Sequence, residues 1–212
     1  MVLDPSSFVG RLQAALDGYD EAGAELVVDE VLDRFALDDA IATVLMPFLV
    51  QVGDRWESGE LSVTQEHFAS HIVRSRLSAI AAGMPAEPDG PTVVVACPPG
   101  ERHDIALLAF SILLRREGWK VRYLGADTPT TDLAFACGRI DPDLVVVATS
   151  RSTALLGAGQ GLRRIAARYP VAIAGGGASR ELAQELGVVW LQGDVTEGAR
   201  QAARVLRHEP AG

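Results

Sequence analysis

The sequence predicts an α/β protein, an N-terminal four-helix bundle followed by a five-stranded parallel domain of flavodoxin or Rossmann-like type. Three observations carry this reading. Residues 1–84 contain few Gly or Pro and repeat apolar side chains at helical spacing. Met84-Pro85-Ala86-Glu87-Pro88-Asp89-Gly90-Pro91 then sets three prolines among polar residues, a stretch that cannot continue a helix. Beyond it, short apolar runs alternate five times with helical patterns, as expected for parallel strands covered on both faces. The domains are therefore read as 1–84, a linker over 85–91, and 92–212.

In the bundle, Ser6 or Ser7 is the candidate cap of a first helix carrying Phe8, Leu12 and Leu16, and Gly18 stands where that helix stops. The second helix carries Leu26, Val27, Val31 and Phe35. A third runs from Asp38 toward Trp56 with Ile41, Val44, Leu45, Phe48 and Val52 facing inward, kinked or restarted around Pro47. After the turn Glu57-Ser58-Gly59-Glu60, Ser62 begins a fourth helix reaching about Ala82. In the second domain the strands are 92–96, 120–124, 144–148, 171–174 and 188–191. Their helices are 103–117, 130–138, 153–168, 179–186 and 195–207. The expected strand order is 2-1-3-4-5.

The composition narrows the function classes. A chain of 212 residues, 48% hydrophobic and 22% charged, buries an ordinary core. Its formal charge of −9 argues against direct nucleic-acid binding, which needs clustered Lys and Arg. No apolar run is long enough for a membrane span, and no charged-then-apolar leader opens the chain, so a reduced, cytoplasmic protein is expected. Cys97 and Cys137 fall in no motif and are read as packing residues. His67 and His71 share a helix face at metal-binding spacing but have no further ligand nearby in sequence.

Ligands of such sheets lie at the carboxyl ends of the strands, around the switch point between strands one and three. That rule selects Cys97-Pro98-Pro99-Gly100-Glu101-Arg102-His103-Asp104 and the loop beginning Thr149-Ser150-Arg151-Ser152-Thr153. It also selects Gly175-Gly176-Gly177, where missing Cβ atoms would let a flat group approach the backbone.

Glu101-x-His103-x-x-Ala106, then Ser150-x-Ser152, then the glycine run, resembles the cobalamin-binding signature Asp-x-His-x-x-Gly, Ser-x-Leu, Gly-Gly. Gly125-Ala126-Asp127-Thr128-Pro129 resembles the family's loop after strand two. The resemblance implies a cobalamin whose nucleotide tail leaves the metal, with His103 as lower axial ligand to cobalt and Glu101 holding the other ring nitrogen. Arg102, Asp104, Gly125, Asp127, Ser150, Ser152, Thr153 and Gly175 to Gly177 would surround the cofactor. Glu for Asp at 101, Ala for Gly at 106 and Ser for Leu at 152 are departures from the pattern.

Within the bundle, Trp56, nine intervening residues and Glu66-His67 resemble the upper-face motif of CarH-type adenosylcobalamin photoreceptors. By that resemblance Trp56, Val63, Glu66 and His67 surround a 5′-deoxyadenosyl group, with the cofactor between bundle and α/β domain. Glu57 follows Trp56 where those photoreceptors commonly have His, and nothing before residue 6 resembles their winged-helix DNA-binding domain. The expectation is a cobalamin-responsive, light-sensing transcriptional regulator, not itself an enzyme. It would act through a separate regulatory or DNA-binding protein, as a monomer or a homo-oligomer. A corrinoid methyl carrier or mutase subunit, a cobalamin storage or delivery protein, and a relative that has lost the cofactor remain alternatives.

Overall fold

The prolines and caps of the chain explain where its helices start. In the computed structural model, which describes residues 4–85 and 89–205, α1 (Pro5–Asp17) opens with Pro5 in its first turn, where a missing N–H costs nothing. The cap is Asp4, whose carboxylate accepts from the Ser6 amide at 3.0 Å; Ser6 and Ser7, the expected caps, lie inside the helix. Asp20 caps α2 (Glu21–Arg34) through the Gly23 amide. Ala24, Val27, Val28 and Val31 form its buried stripe. Leu26, expected to face inward, stands two residues off the Ala24 and Val28 positions of that stripe and is 68% exposed.

The expected third helix is helical from Leu37 to Glu57 in three pieces. These are α3 (Leu37–Ala40), a π-helical turn Ile41–Leu45, and α4 (Met46–Glu57). The widened turn directly precedes Pro47, which has no N–H for the carbonyl four residues back. Ile41, Val44, Leu45, Phe48 and Val52 are all buried. α5 (Val63–Gly83) begins after Ser62. The Ser62 hydroxyl accepts from the Gln65 amide at 3.3 Å and the Gln65 side chain accepts from the Ser62 amide at 3.0 Å, a reciprocal capping box.

The chain divides into two units, Met1–Gly83 and Met84–Gly212. Of the stretch 85–91, residues 86–88 lie outside the described residues, as do 206 and 207 of the last expected helix. The second unit is a parallel sheet in the order β2-β1-β3-β4-β5. Its strands are β1 (Thr92–Ala96), β2 (Lys120–Gly125), β3 (Leu144–Ala148), β4 (Val171–Ala174) and β5 (Val189–Trp190). They are joined and followed by α6 (Ile105–Arg116), α7 (Thr130–Ile140), α8 (Ser152–Ala166), α9 (Arg180–Leu186) and α10 (Val195–Val205).

One face of the sheet buries Val94, Val145, Val147 and Ile173 against Leu133 and Cys137 of α7, Leu155 and Leu162 of α8, and Leu182 and Leu186 of α9. The alternate residues point the other way, where α6 packs on β1 and β2 and α10 packs on α6. Two covered faces are why the central strands are apolar throughout, whereas the edge strand β2 exposes Arg122. No helix among the described residues is long and apolar enough to cross a membrane.

Candidate functional site

The β1–α6 and β3–α8 loops leave neighbouring central strands at the point where strand order reverses, and Glu101 joins them. Its side chain is fully buried. Oε2 accepts from the Thr149 hydroxyl at 2.8 Å, the Ser150 amide at 2.8 Å and the Ser150 hydroxyl at 2.6 Å. Oε1 accepts from the His103 amide at 2.9 Å and lies 2.7 Å from His103 Nδ1.

Burial raises the Glu101 pKa. The bonds from Ser150, His103 and Thr149 outweigh that effect and hold it down to about 2. The carboxylate is therefore ionised and can only accept, so Nδ1 carries the proton and Nε2 keeps the lone pair in the neutral ring. The His103 side chain is 68% exposed, so that second nitrogen is open to a ligand.

The β2–α7 loop braces this pair. Gly125 has φ +80°, and its carbonyl accepts from the Cys97 amide at 2.8 Å. Asp127 has φ +49°. It accepts from the Gly100 amide at 2.7 Å while its own amide donates to the Glu101 carbonyl at 2.8 Å. Arg151 reaches across to donate to the Gly100 carbonyl. Asp104 is buried and turned away, its carboxylate accepting from the Tyr123 hydroxyl at 2.7 Å. Arg102 is exposed, as are Ser152 and Thr153 in the first turn of α8.

The glycine run proves to serve loop packing at two of its three positions. A Cβ at Gly175 would lie 2.4 Å from the Thr149 carbonyl oxygen, and one at Gly177 would lie 2.4 Å from the Arg151 carbonyl carbon. The β3–α8 loop itself is thus the close neighbour there. Gly176 has room, with the Ser150 carbonyl oxygen at 3.8 Å.

In the helical unit, Trp56 lies in the last turn of α4 with 46% exposure and Val63 begins α5 with 50%. Glu66 accepts from the Ser70 hydroxyl at 2.7 Å, and its other oxygen lies 3.7 Å from His67 Nε2. His67 is exposed. Thr149, Tyr123 and Arg151 are site residues that motif reading passed over. Thr149 and Arg151 had a local signal, their place in the loop that leaves the carboxyl end of the third strand, whereas Tyr123 had none.

The donor set suits a cobalamin. Among the described residues no three His, Cys, Asp or Glu gather to hold a metal ion. A single imidazole, fixed in one tautomer by an ionised carboxylate, suits a metal that brings its equatorial ligands in a macrocycle.

Comparison with known proteins agrees. A family model described as B12 binding domain matches residues 91–203, and a second with the same description matches residues 9–81. Over 141 residues, 65% of the chain, it is 37% identical to the HTH-type transcriptional repressor CarA of Myxococcus xanthus. The identity to CarH of the same organism is 40% over 141 residues, 66% of the chain. These matches cover 47% and 46% of the two relatives, so the chain spans about half their length. The monomethylamine corrinoid protein of Methanosarcina barkeri superposes with a TM-score of 0.81 over 95% of this chain and 100% of that one, and at 18% identity it shows the fold alone.

Proposed function

Because this chain belongs to the B12 binding domain family and binds cobalamin, we propose that it is an adenosylcobalamin-dependent, light-responsive regulator that works in the cytoplasm through a partner protein. The observation that carries the regulatory reading is the pair of large apolar side chains, Trp56 and Val63, left open to solvent on the two sides of the α4–α5 turn. An exposed indole and a branched aliphatic suit a flat, partly apolar adenosyl group, and the Glu66 carboxylate suits ribose or adenine donors. The similarity to CarA and CarH, both transcriptional repressors, supports the same reading.

His103 would hold the cobalt through Nε2, and Glu101 keeps the proton on Nδ1 and raises the basicity of the ring. Trp56 and Val63 exclude water on the adenosyl side, with His67 beside Glu66. Arg102, Asp127, Ser152, Thr153 and Gly176 line the remainder of the site. When bound, adenosylcobalamin supplies a cobalt–carbon bond that visible light breaks. The protein's part is to couple loss of the adenosyl group to its own state of association.

The test is absorbance and size-exclusion chromatography of protein loaded with adenosylcobalamin in the dark, then under green light, beside His103→Ala. Stoichiometric binding, a spectrum that depends on His103 and a light-driven change in elution are expected. Bleaching without a change in elution overturns the sensor in favour of storage or a corrinoid carrier.

A further inference from the structure

The turn after α1 takes a strained conformation that the local sequence did not require. The Asp20 amide donates to the Ala15 carbonyl and the Tyr19 amide to the Leu16 carbonyl, at 2.9 and 3.1 Å, the paired bonds of a Schellman ending. The left-handed position of that ending ordinarily takes glycine. Gly18 stands one residue earlier with φ −94°, and Tyr19 occupies the left-handed position with φ +51°. A bulky residue persists there only when its surroundings hold it.

The surroundings are the start of α5. The Tyr19 hydroxyl lies 2.8 Å from Thr64 Oγ1 and 3.3 Å from Ser62 Oγ, and its ring meets Phe68 edge to face at 5.6 Å. Ser62 and Thr64 are bonded to each other at 2.9 Å, and Ser62 forms the capping box with Gln65. Tyr19 therefore braces the turn of helix that carries Val63, Glu66 and His67. A second brace comes from Arg55, next to Trp56. Its guanidinium bonds Asp17 at 2.9 Å and Gln13 of α1, while its carbonyl accepts from the Glu60 and Leu61 amides. Both braces run from the last turns of α1 to the α4–α5 corner.

We propose that Tyr19, held left-handed after α1, is a positioning residue that sets the α4–α5 corner for the upper group of the cofactor, with Arg55 as its second support. The inference rests on the reading of Trp56, Val63, Glu66 and His67 given above. Tyr19 does not contact the cofactor. Its hydroxyl holds the α5 cap, the cap fixes the first turn, and that turn orients the contacting side chains.

Tyr19→Phe keeps the ring against Phe68 and removes only the hydroxyl. Binding of adenosylcobalamin and of hydroxocobalamin, which lacks the adenosyl group, is measured by titration for wild type and variant. Hydrogen exchange over residues 62–67 is followed in the cofactor-free proteins. The wild type is expected to prefer adenosylcobalamin. The variant should lose roughly three- to tenfold of that preference, the effect of one hydrogen-bonded restraint. Its hydroxocobalamin affinity should be unchanged and its exchange at 62–67 faster. An unchanged preference in Tyr19→Phe overturns the proposal, and equal weakening of both cobalamins does the same by showing a general structural role. A wild type without preference for adenosylcobalamin overturns the upper-face reading itself and this proposal with it.

Discussion

At the scale of single residues, the chemistry of the site reduces to how a buried negative charge is kept by hydrogen bonds. Glu101 accepts five hydrogen bonds, and three of them come from Thr149 and Ser150. Its pKa is about 2 in the folded chain against an ordinary 4.5. A depressed carboxylate stabilises the fold above its unfolded value and ceases to do so as pH falls from 4.5 toward 2. The contribution at neutral pH is about 3 kcal/mol on this basis. Glu101→Gln is therefore expected to unfold at lower denaturant at pH 7, with a difference from wild type that shrinks steadily below pH 4.5. It should also weaken His103-dependent cobalamin binding by roughly ten- to a hundredfold, the usual effect of removing the partner of a ligating imidazole. Parallel urea melts of the two proteins across that pH range check the first statement. A stability gap independent of pH would sink it.

At the scale of elements, Gly175 and Gly177 let the β4–α9 loop lie against the backbone of the β3–α8 loop. A methyl group at 177 would meet the Arg151 carbonyl carbon at 2.4 Å and the Ser152 nitrogen at 2.7 Å, backbone atoms that cannot swing aside. Gly177→Ala should cost about 1–3 kcal/mol as an overpacked contact and displace Ser150 from Glu101. Gly176→Ala, whose nearest such neighbour is 3.8 Å away, should be near neutral. Equal denaturation midpoints for the two variants would contradict this. The elements themselves were largely legible. β1, β3 and β4 begin and end where apolar runs meet polar or turn residues, and the strand order is the flavodoxin-like one expected of five βα units. The π-helical turn before Pro47 was not legible, because a proline predicts a disturbance without choosing between a kink, a break and a widened turn. The capping of α1 by Asp4 was signalled by Pro5 and outcompeted on paper by two serines. In the site, Glu101 and His103 lie in one short loop, so a motif reveals them. Thr149 and Ser150 reach Glu101 from 48 and 49 residues away, and Tyr19 reaches Thr64 from 45, contacts that only the folded chain creates.

At the scale of the whole molecule, charge is distributed unevenly between the two units. Residues 1–83 contain 14 Asp and Glu against five Arg and no Lys, whereas residues 84–212 contain 14 of each sign. The entire formal charge of −9 thus belongs to the helical unit. Arginines of the unit pair with carboxylates, Arg11 and Arg34 with Glu30, Arg55 with Asp17, and Arg76 with Asp29. Such exposed pairs each contribute about 0–1 kcal/mol, while the surplus acids repel one another across the unit. The unit should therefore repel a polyanion such as DNA. Salt weakens both effects, and with nine more carboxylates than arginines the repulsion is the larger. Raising sodium chloride from low to moderate concentration is expected to stabilise the helical unit and to leave the α/β unit nearly unchanged. Hydrogen exchange resolved by peptide separates the two. Protection in α2 and α5 should rise with salt while that in β1 and β3 stays constant. A fall in α2 and α5 protection would mean that the arginine pairs, and not the net charge, govern the unit's stability.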